Sequence, residues 1–219
     1  MARIARVIAP GYPHHITQRG NRRQDVFFCD DDYRAYLELM ATWCKRCEVE
    51  ILAWCLMPNH VHLIAVPHEQ TSLARAIGEA HRRYTRMINF RQKWRGHLWQ
   101  ERFASFPMDE RHLLAAARYI ETNPVAAKMV KSPEAYRWSS VHAHLNGRDD
   151  ILTKVAPLLE LVDDWQEFLK LPVAEDVKKI QQHERSGRPL GGERFVSQLE
   201  KTAGRVLRPR KPGPKPKNR

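Results

Sequence analysis

Residues 51–66 constrain this chain more than any other stretch. Ile51-Leu52-Ala53-Trp54-Cys55-Leu56 and His60-Val61-His62-Leu63-Ile64-Ala65-Val66 are two apolar runs of strand length, separated only by Met57-Pro58-Asn59. Pro and Asn favour a turn, and runs this short and this apolar are expected as buried strands that pair antiparallel. The histidines are therefore expected at the start of a central strand, next to a loop.

The flanking segments supply the rest of the sheet and its cover. His14 to Gln18 is expected as a first strand, running into the loop Arg19-Gly20-Asn21-Arg22-Arg23. Asp30-Asp31-Asp32 supplies a cap and helix-compatible charge ahead of Tyr36, Leu37, Met40, Trp43, Cys44 and Cys47, which recur with helical spacing. A second helix is expected from Thr71-Ser72 to about Trp94, with Leu73, Ile77, Tyr84, Met87 and Ile88 inward and Arg82, Arg83, Arg86, Arg91 and Lys93 outward. Leu98 to Met108 reads as a further strand. Asp109 caps a third helix through Leu113, Leu114, Ala117 and Ile120, which Pro124 is expected to end. The order strand, helix, strand, strand, helix, strand describes an α+β, ferredoxin-like (RRM-like) antiparallel sheet with helices on one face.

Beyond about residue 145 the composition changes. Residues 149–176 are acidic, Trp165, Phe168 and Leu169 mark a short packed helix, and Glu193 to Thr202 reads as another. From Arg205 onward there are seven Lys or Arg, four Pro and no acid, the composition of a disordered basic arm. Arg210-Lys211-Pro212-Gly213 within it is the kind of basic, Pro/Gly segment that lies in a DNA minor groove. The expected organisation is 1–145 as one domain, 146–204 as a helical extension that is a candidate accessory DNA-binding unit, and 205–219 as the arm.

The 219 residues carry 37 Lys and Arg against 25 Asp and Glu, a net charge of +12. An excess of that size implies a polyanionic partner, nucleic acid before membrane surface. No apolar run approaches the roughly 20 residues of a membrane span, and the N-terminus lacks a signal-peptide core, so a cytoplasmic location is expected. Four cysteines are too few and too irregular for a disulfide framework, and Cys44-Lys45-Arg46-Cys47 has no second pair to complete a zinc site.

The candidate chemistry lies at the hairpin. In a strand, His60 and His62 point to one face, their Cα atoms about 6.6 Å apart, and two imidazoles there can converge on one divalent ion with coordination positions left open. Such a pair also occurs as ordinary core histidines. Tyr119 and Asn123, four apart on the third helix, share a face. A tyrosine can attack phosphorus, though its ordinary pKa near 10 leaves it protonated, and a lone tyrosine such as Tyr119 is more often a half-buried packing residue.

Leu56-Met57-Pro58-Asn59-His60-Val61-His62, the basic second helix and Tyr119-Ile120-Glu121-Thr122-Asn123-Pro124-Val125 together resemble the single-tyrosine HUH transposases of the insertion-sequence family. The resemblance is nearest to the REP-associated tyrosine transposases. It spans roughly residues 5–145 and includes Arg19-Gly20-Asn21-Arg22 and Leu98-Trp99-Gln100-Glu101-Arg102-Phe103. It implies a DNA transposase that cuts and rejoins single-stranded or hairpin DNA such as REP-like palindromes, as a monomer or homodimer, through a 5′-phosphotyrosine. It also implies a cytoplasmic, nucleoid-associated protein. Tyr119 would be the nucleophile, and His60, His62 and Asn123 would hold Mg²⁺ or Mn²⁺. Asn stands where some relatives have glutamine, so His14 or His15 remains open as a further ligand. Arg19, Arg22, Arg23, Arg82, Arg83, Arg86, Arg102, Arg210 and Lys211 would contact DNA, with Trp99 stacking on an unpaired base. Two other classes remain: a non-catalytic hairpin-binding protein of transposase descent, and a metal-dependent hydrolase that forms no covalent adduct.

Overall fold

The hairpin forms one half of a four-stranded antiparallel sheet in the computed structural model, its second strand inside the sheet and its first at one edge; the structure describes residues 4–172 and 174–209. The strands are β1 (His14–Arg19), β2 (Val49–Met57), β3 (His60–Pro67) and β4 (Ala104–Pro107), in the order β2-β3-β1-β4. Helices α1 (Asp30–Arg46) and α2 (Ser72–Gln92) carry the two crossovers, which completes the ferredoxin-like topology. The strand expected over 98–108 is confined to its last residues. Leu98 to Phe103 instead folds as irregular chain, bridged to Gly20 at Trp99.

Period-two alternation divides the sheet into two buried faces. Ile16, Val61, Leu63 and Ala65 face α1 and α2, against Tyr36, Met40, Leu73, Ile77 and Tyr84. Ile64 and Phe106 face the opposite way, as do Leu52 and Ala53, which a β-bulge at Ile51/Ala53 turns to the same side. That second face is covered by α3 (Glu110–Ala126), α6 (Trp165–Lys170) and α7 (Ala174–Ser186). Helices therefore occupy both faces: α1 and α2 lie on one, as the βαββαβ order requires, and the later helices bury the other.

Local chemistry explains the element ends. Of the three aspartates it is Asp32 that caps α1: its carboxylate accepts from Phe28 N at 2.7 Å and Cys29 N at 3.3 Å, and pairs with Arg91 at 2.5 and 2.8 Å. Asp109 caps α3 by accepting from His112 N at 3.1 Å. Pro124 does not end that helix, which continues to Ala126. Proline forfeits one N–H there, and Ala127 N, donating to Asn123 O at 2.9 Å, closes the last turn around it.

The hairpin tip is clasped by the loop after β1, since Gly20 N donates to Asn59 O and Val26 N to Pro58 O, both at 2.8 Å. Gly20 is required by space: a Cβ would lie 2.2 Å from Gln24 O.

Residues beyond 145 form α5 (Ala156–Leu159), α6, α7 and α8 (Glu193–Ala203), after a short α4 (Val141–Leu145). Leu158, Trp165, Phe168, Leu169 and Ile180 belong to the same apolar cluster as α3 and the sheet. Of the segment expected as a disordered arm, Arg205 to Pro209 is described: Leu207 is buried with Val7, Ala9 and Leu199, and Arg208 pairs with Glu200 at 2.7 Å, while the other residues are exposed. Residues 210–219, with Arg210 and Lys211, lie outside the described residues. Cys44, Cys47 and Cys55 are buried free thiols. Among the described residues, no helix is long and apolar enough to cross a membrane.

Candidate active site

The histidines of β3 and the tyrosine of α3 reach one place because alternation turns His60 and His62 to the sheet face that α3 covers. The His60 and His62 ring centroids are 5.0 Å apart, and the Tyr119 ring lies 5.5 Å from His62, edge to face. The neighbouring strand adds His15, whose ring stacks on His62 at 5.4 Å and lies 6.0 Å from Tyr119. His62 Nδ1 is 3.3 Å from His15 Nε2. His60 is oriented by Asn59, whose Oδ1 lies 2.6 Å from His60 Nδ1.

From α7 a carboxylate enters the same space. Glu184 Oε1 is 3.5 Å from His15 Nδ1 and 3.8 Å from His62 Nδ1. His15 Nδ1 and Glu184 Oε1 are nonetheless both buried without a hydrogen-bond partner. One ligand atom from each of His15, His62 and Glu184 can be chosen so that all lie within 4.8 Å of one another, a spacing at which one divalent ion reaches all three.

Burial sets the protonation states. It lowers His62 well below the ordinary imidazole value, helped by His60, His15 and Arg19, and brings His15 down to about 3. His60 falls to about 4 through burial and the Arg19 charge. Neutral imidazoles with free lone pairs are what a metal ion needs. Burial and the Glu184 charge push the Tyr119 phenol up to about 12, partly countered by a Gln181 hydrogen bond and Arg19. The Glu184 carboxyl is raised to about 7 by burial, against Arg19 and Arg185.

The other expected residues are distributed differently. Asn123, one turn beyond Tyr119, makes no side-chain hydrogen bond among the described residues; His15 and Glu184 stand beside His62. Arg19, Arg22 and Arg23 are exposed, at the end of β1 and in the loop that clasps the hairpin. Arg102 is exposed and lines a cavity of about 760 Å³ with Arg6, Asn21 and His97. Arg82, Arg83 and Arg86 lie on α2, which packs on the opposite sheet face from the histidines. Arg82 is bound to Glu79 at 2.6 Å, and Arg83 sits 4.9 Å over the Trp43 ring. Arg91 is held by Asp32. Trp99 does not offer a stacking surface: it is 8% exposed and stacked on His81 at 4.6 Å, because Leu98 to Phe103 folds inward as loop.

Glu184 carried no recognisable signal in the sequence. It lies in a polar helix, far along the chain from Tyr119, and no motif surrounds it. His15 was legible only as one of two adjacent histidines in β1.

Residues 10–123 match the family described as IS200-like transposases. A curated protein of Haemophilus influenzae, named for the REP-associated tyrosine transposases, is 26% identical over 145 residues, covering 61% of this chain and 76% of that protein. The solved structure of a REP-associated tyrosine transposase bound to a REP hairpin superposes with a TM-score of 0.59 at 22% identity, over 69% of this chain and 90% of that one. That likeness is one of fold.

Proposed function

The chain belongs to the IS200-like transposases, and we propose that it cuts and rejoins single-stranded or hairpin DNA through a covalent bond to Tyr119. The observation that carries this is the meeting of the Tyr119 phenol with His60 and His62 on one sheet face. The His15 ring joins them on that face, stacked on His62 and 6.0 Å from Tyr119.

The Tyr119 oxygen attacks the scissile phosphorus, the bond from phosphorus to the 3′ oxygen breaks, and the released 3′ oxygen takes up a proton. The products are a 5′-phosphotyrosine and a 3′-hydroxyl, and attack by another 3′-hydroxyl reverses the step, so strands rejoin without a nucleotide cofactor. With its phenol pushed up to about 12, Tyr119 must lose its proton during attack, and Arg19 is the cation that favours the phenolate. A divalent ion, Mg²⁺ or Mn²⁺, held by His60 and His62 would neutralise the non-bridging phosphate oxygens. Arg19, Arg22, Arg23 and Arg102 would track the DNA backbone around the loop and hairpin tip, which positions a strand without choosing its sequence.

Tyrosine and histidines come from the same chain, which supports a site completed within one subunit. The likeness to proteins named for REP-associated transposition supports repeat hairpins as the DNA, and hence a nucleoid-associated place in the cytoplasm.

The test is incubation with labelled hairpin DNA and Mn²⁺, followed by denaturing electrophoresis. A protein–DNA adduct is expected from the wild type and none from Tyr119→Phe. An adduct that survives this substitution would refute the assignment of the nucleophile, and cleavage without adduct would favour an activated-water hydrolase.

A further inference from the structure

The geometry points to Glu184 on α7 as the anionic ligand that completes the metal site, binding together with His62 and His15. This deepens the reading above and rests on it, since it concerns the ion that the proposed chemistry uses.

The argument starts from an imbalance. A carboxylate oxygen without a hydrogen-bond partner is buried beside a ring nitrogen that also has none, at 3.5 Å. Leaving both polar atoms unsatisfied is costly, and one cation between them relieves both. His62 Nδ1, 3.8 Å from the same oxygen, provides the third donor once the bound ion replaces its 3.3 Å contact with His15 Nε2. His62 belongs to both ligand sets, and with His60 as a further donor three imidazoles and one carboxylate would still leave positions open on a six-coordinate ion, which a phosphate oxygen requires.

The placement of Glu184 is built into the fold. Asp176 of α7 pairs with the buried Arg118 of α3 at 3.6 Å, and Ile180 is buried in the second core. The His183 ring lies 5.8 Å from Phe106, and its Nδ1 is 2.9 Å from Arg188 O. One turn of helix thus sets Gln181 against Tyr119 and Glu184 against the histidines. A segment outside the family match of residues 10–123 would supply a first ligand to the ion.

The experiment is Mn²⁺ binding to the full-length protein without DNA, followed by electron paramagnetic resonance, with folding checked by thermal melts in EDTA. Wild type should bind one ion, and His62→Ala should abolish that site. Glu184→Gln should weaken it at least tenfold, and Glu184→Asp, with its shorter carboxylate, should fall between. Wild-type affinity in Glu184→Gln would overturn the inference while leaving His60 and His62 as ligands. If that variant does not fold, unchanged affinity in Glu184→Asp overturns it equally. A folded wild type that binds no Mn²⁺ would remove the ion from the proposed function and this ligand with it.

Discussion

Glu121, two residues beyond Tyr119, offers a quantitative test of what holds the tyrosine helix in place. Its carboxylate is fully buried and accepts from Ser140 Oγ at 2.6 Å and Trp165 Nε1 at 2.8 Å, with His144 Nδ1 also 2.6 Å away. Three side chains from two segments beyond the third helix, α4 with its N-cap and α6, therefore converge on one carboxylate. In Glu121→Gln the amide oxygen can replace only one carboxylate oxygen. If it serves Ser140 and His144, the amide nitrogen faces the Trp165 N–H, and two buried donors confront each other. An unsatisfied buried donor costs about 1–3 kcal/mol, so the substitution should cost roughly 2–3 kcal/mol. For a chain of this length, about 2–4 °C per kcal/mol, that is a fall in Tm of roughly 4–12 °C by circular dichroism or differential scanning calorimetry. Replacing Trp165 by Phe removes the opposed donor, so Glu121→Gln should cost less in that background, with a coupling of about 1 kcal/mol. Additive losses, or a Tm for Glu121→Gln within about 1 °C of wild type at the same sensitivity, would refute the idea that this network pins α3 to α4 and α6.

Asp32 makes stability depend on pH. Burial works against its charge, but Arg91 and the Phe28 and Cys29 N–H groups hold the carboxyl below its ordinary value of 3.8. Its contribution is thus present above that value and is lost as pH falls through the folded value. Asp32→Asn should cost about 1–3 kcal/mol near neutral pH, and the difference in Tm from wild type should shrink as pH drops below 4; a gap that widens would contradict this. Gly20→Ala should lower stability by about 1–3 kcal/mol by driving a methyl into Gln24 O, and an unchanged melt would show that the loop after β1 gives way freely. Trp99→Leu, which removes the aromatic ring, should lower Tm yet leave affinity for unpaired DNA within about twofold, whereas base stacking, worth about 1–3 kcal/mol, would show as a larger loss of binding.

The hairpin, both crossover helices and the cap at Asp109 were legible in the residues themselves, because period-two and period-3.6 patterns and capping chemistry act over a few residues. The same short range made His60 and His62 visible as partners on one face. It could not say which helix would cover that face. Pro124 was read as a stop by local geometry, yet the helix runs on to Ala126. Trp99 looked like an available ring, and only the inward fold of Leu98 to Phe103 shows it stacked on His81. The resemblance implied Tyr119 beside the histidines, but the geometry that joins His15, His62 and Tyr119 to Glu184 belongs to the tertiary structure. Three come from neighbouring strands and the helix crossing them, and the fourth from a polar helix much later in the chain, tied down by Arg118 and Ile180. Local sequence specifies which side of an element a residue occupies. Which elements then bury one another is decided by the shape and apolar area of whole faces, and that sum is not written at any single position.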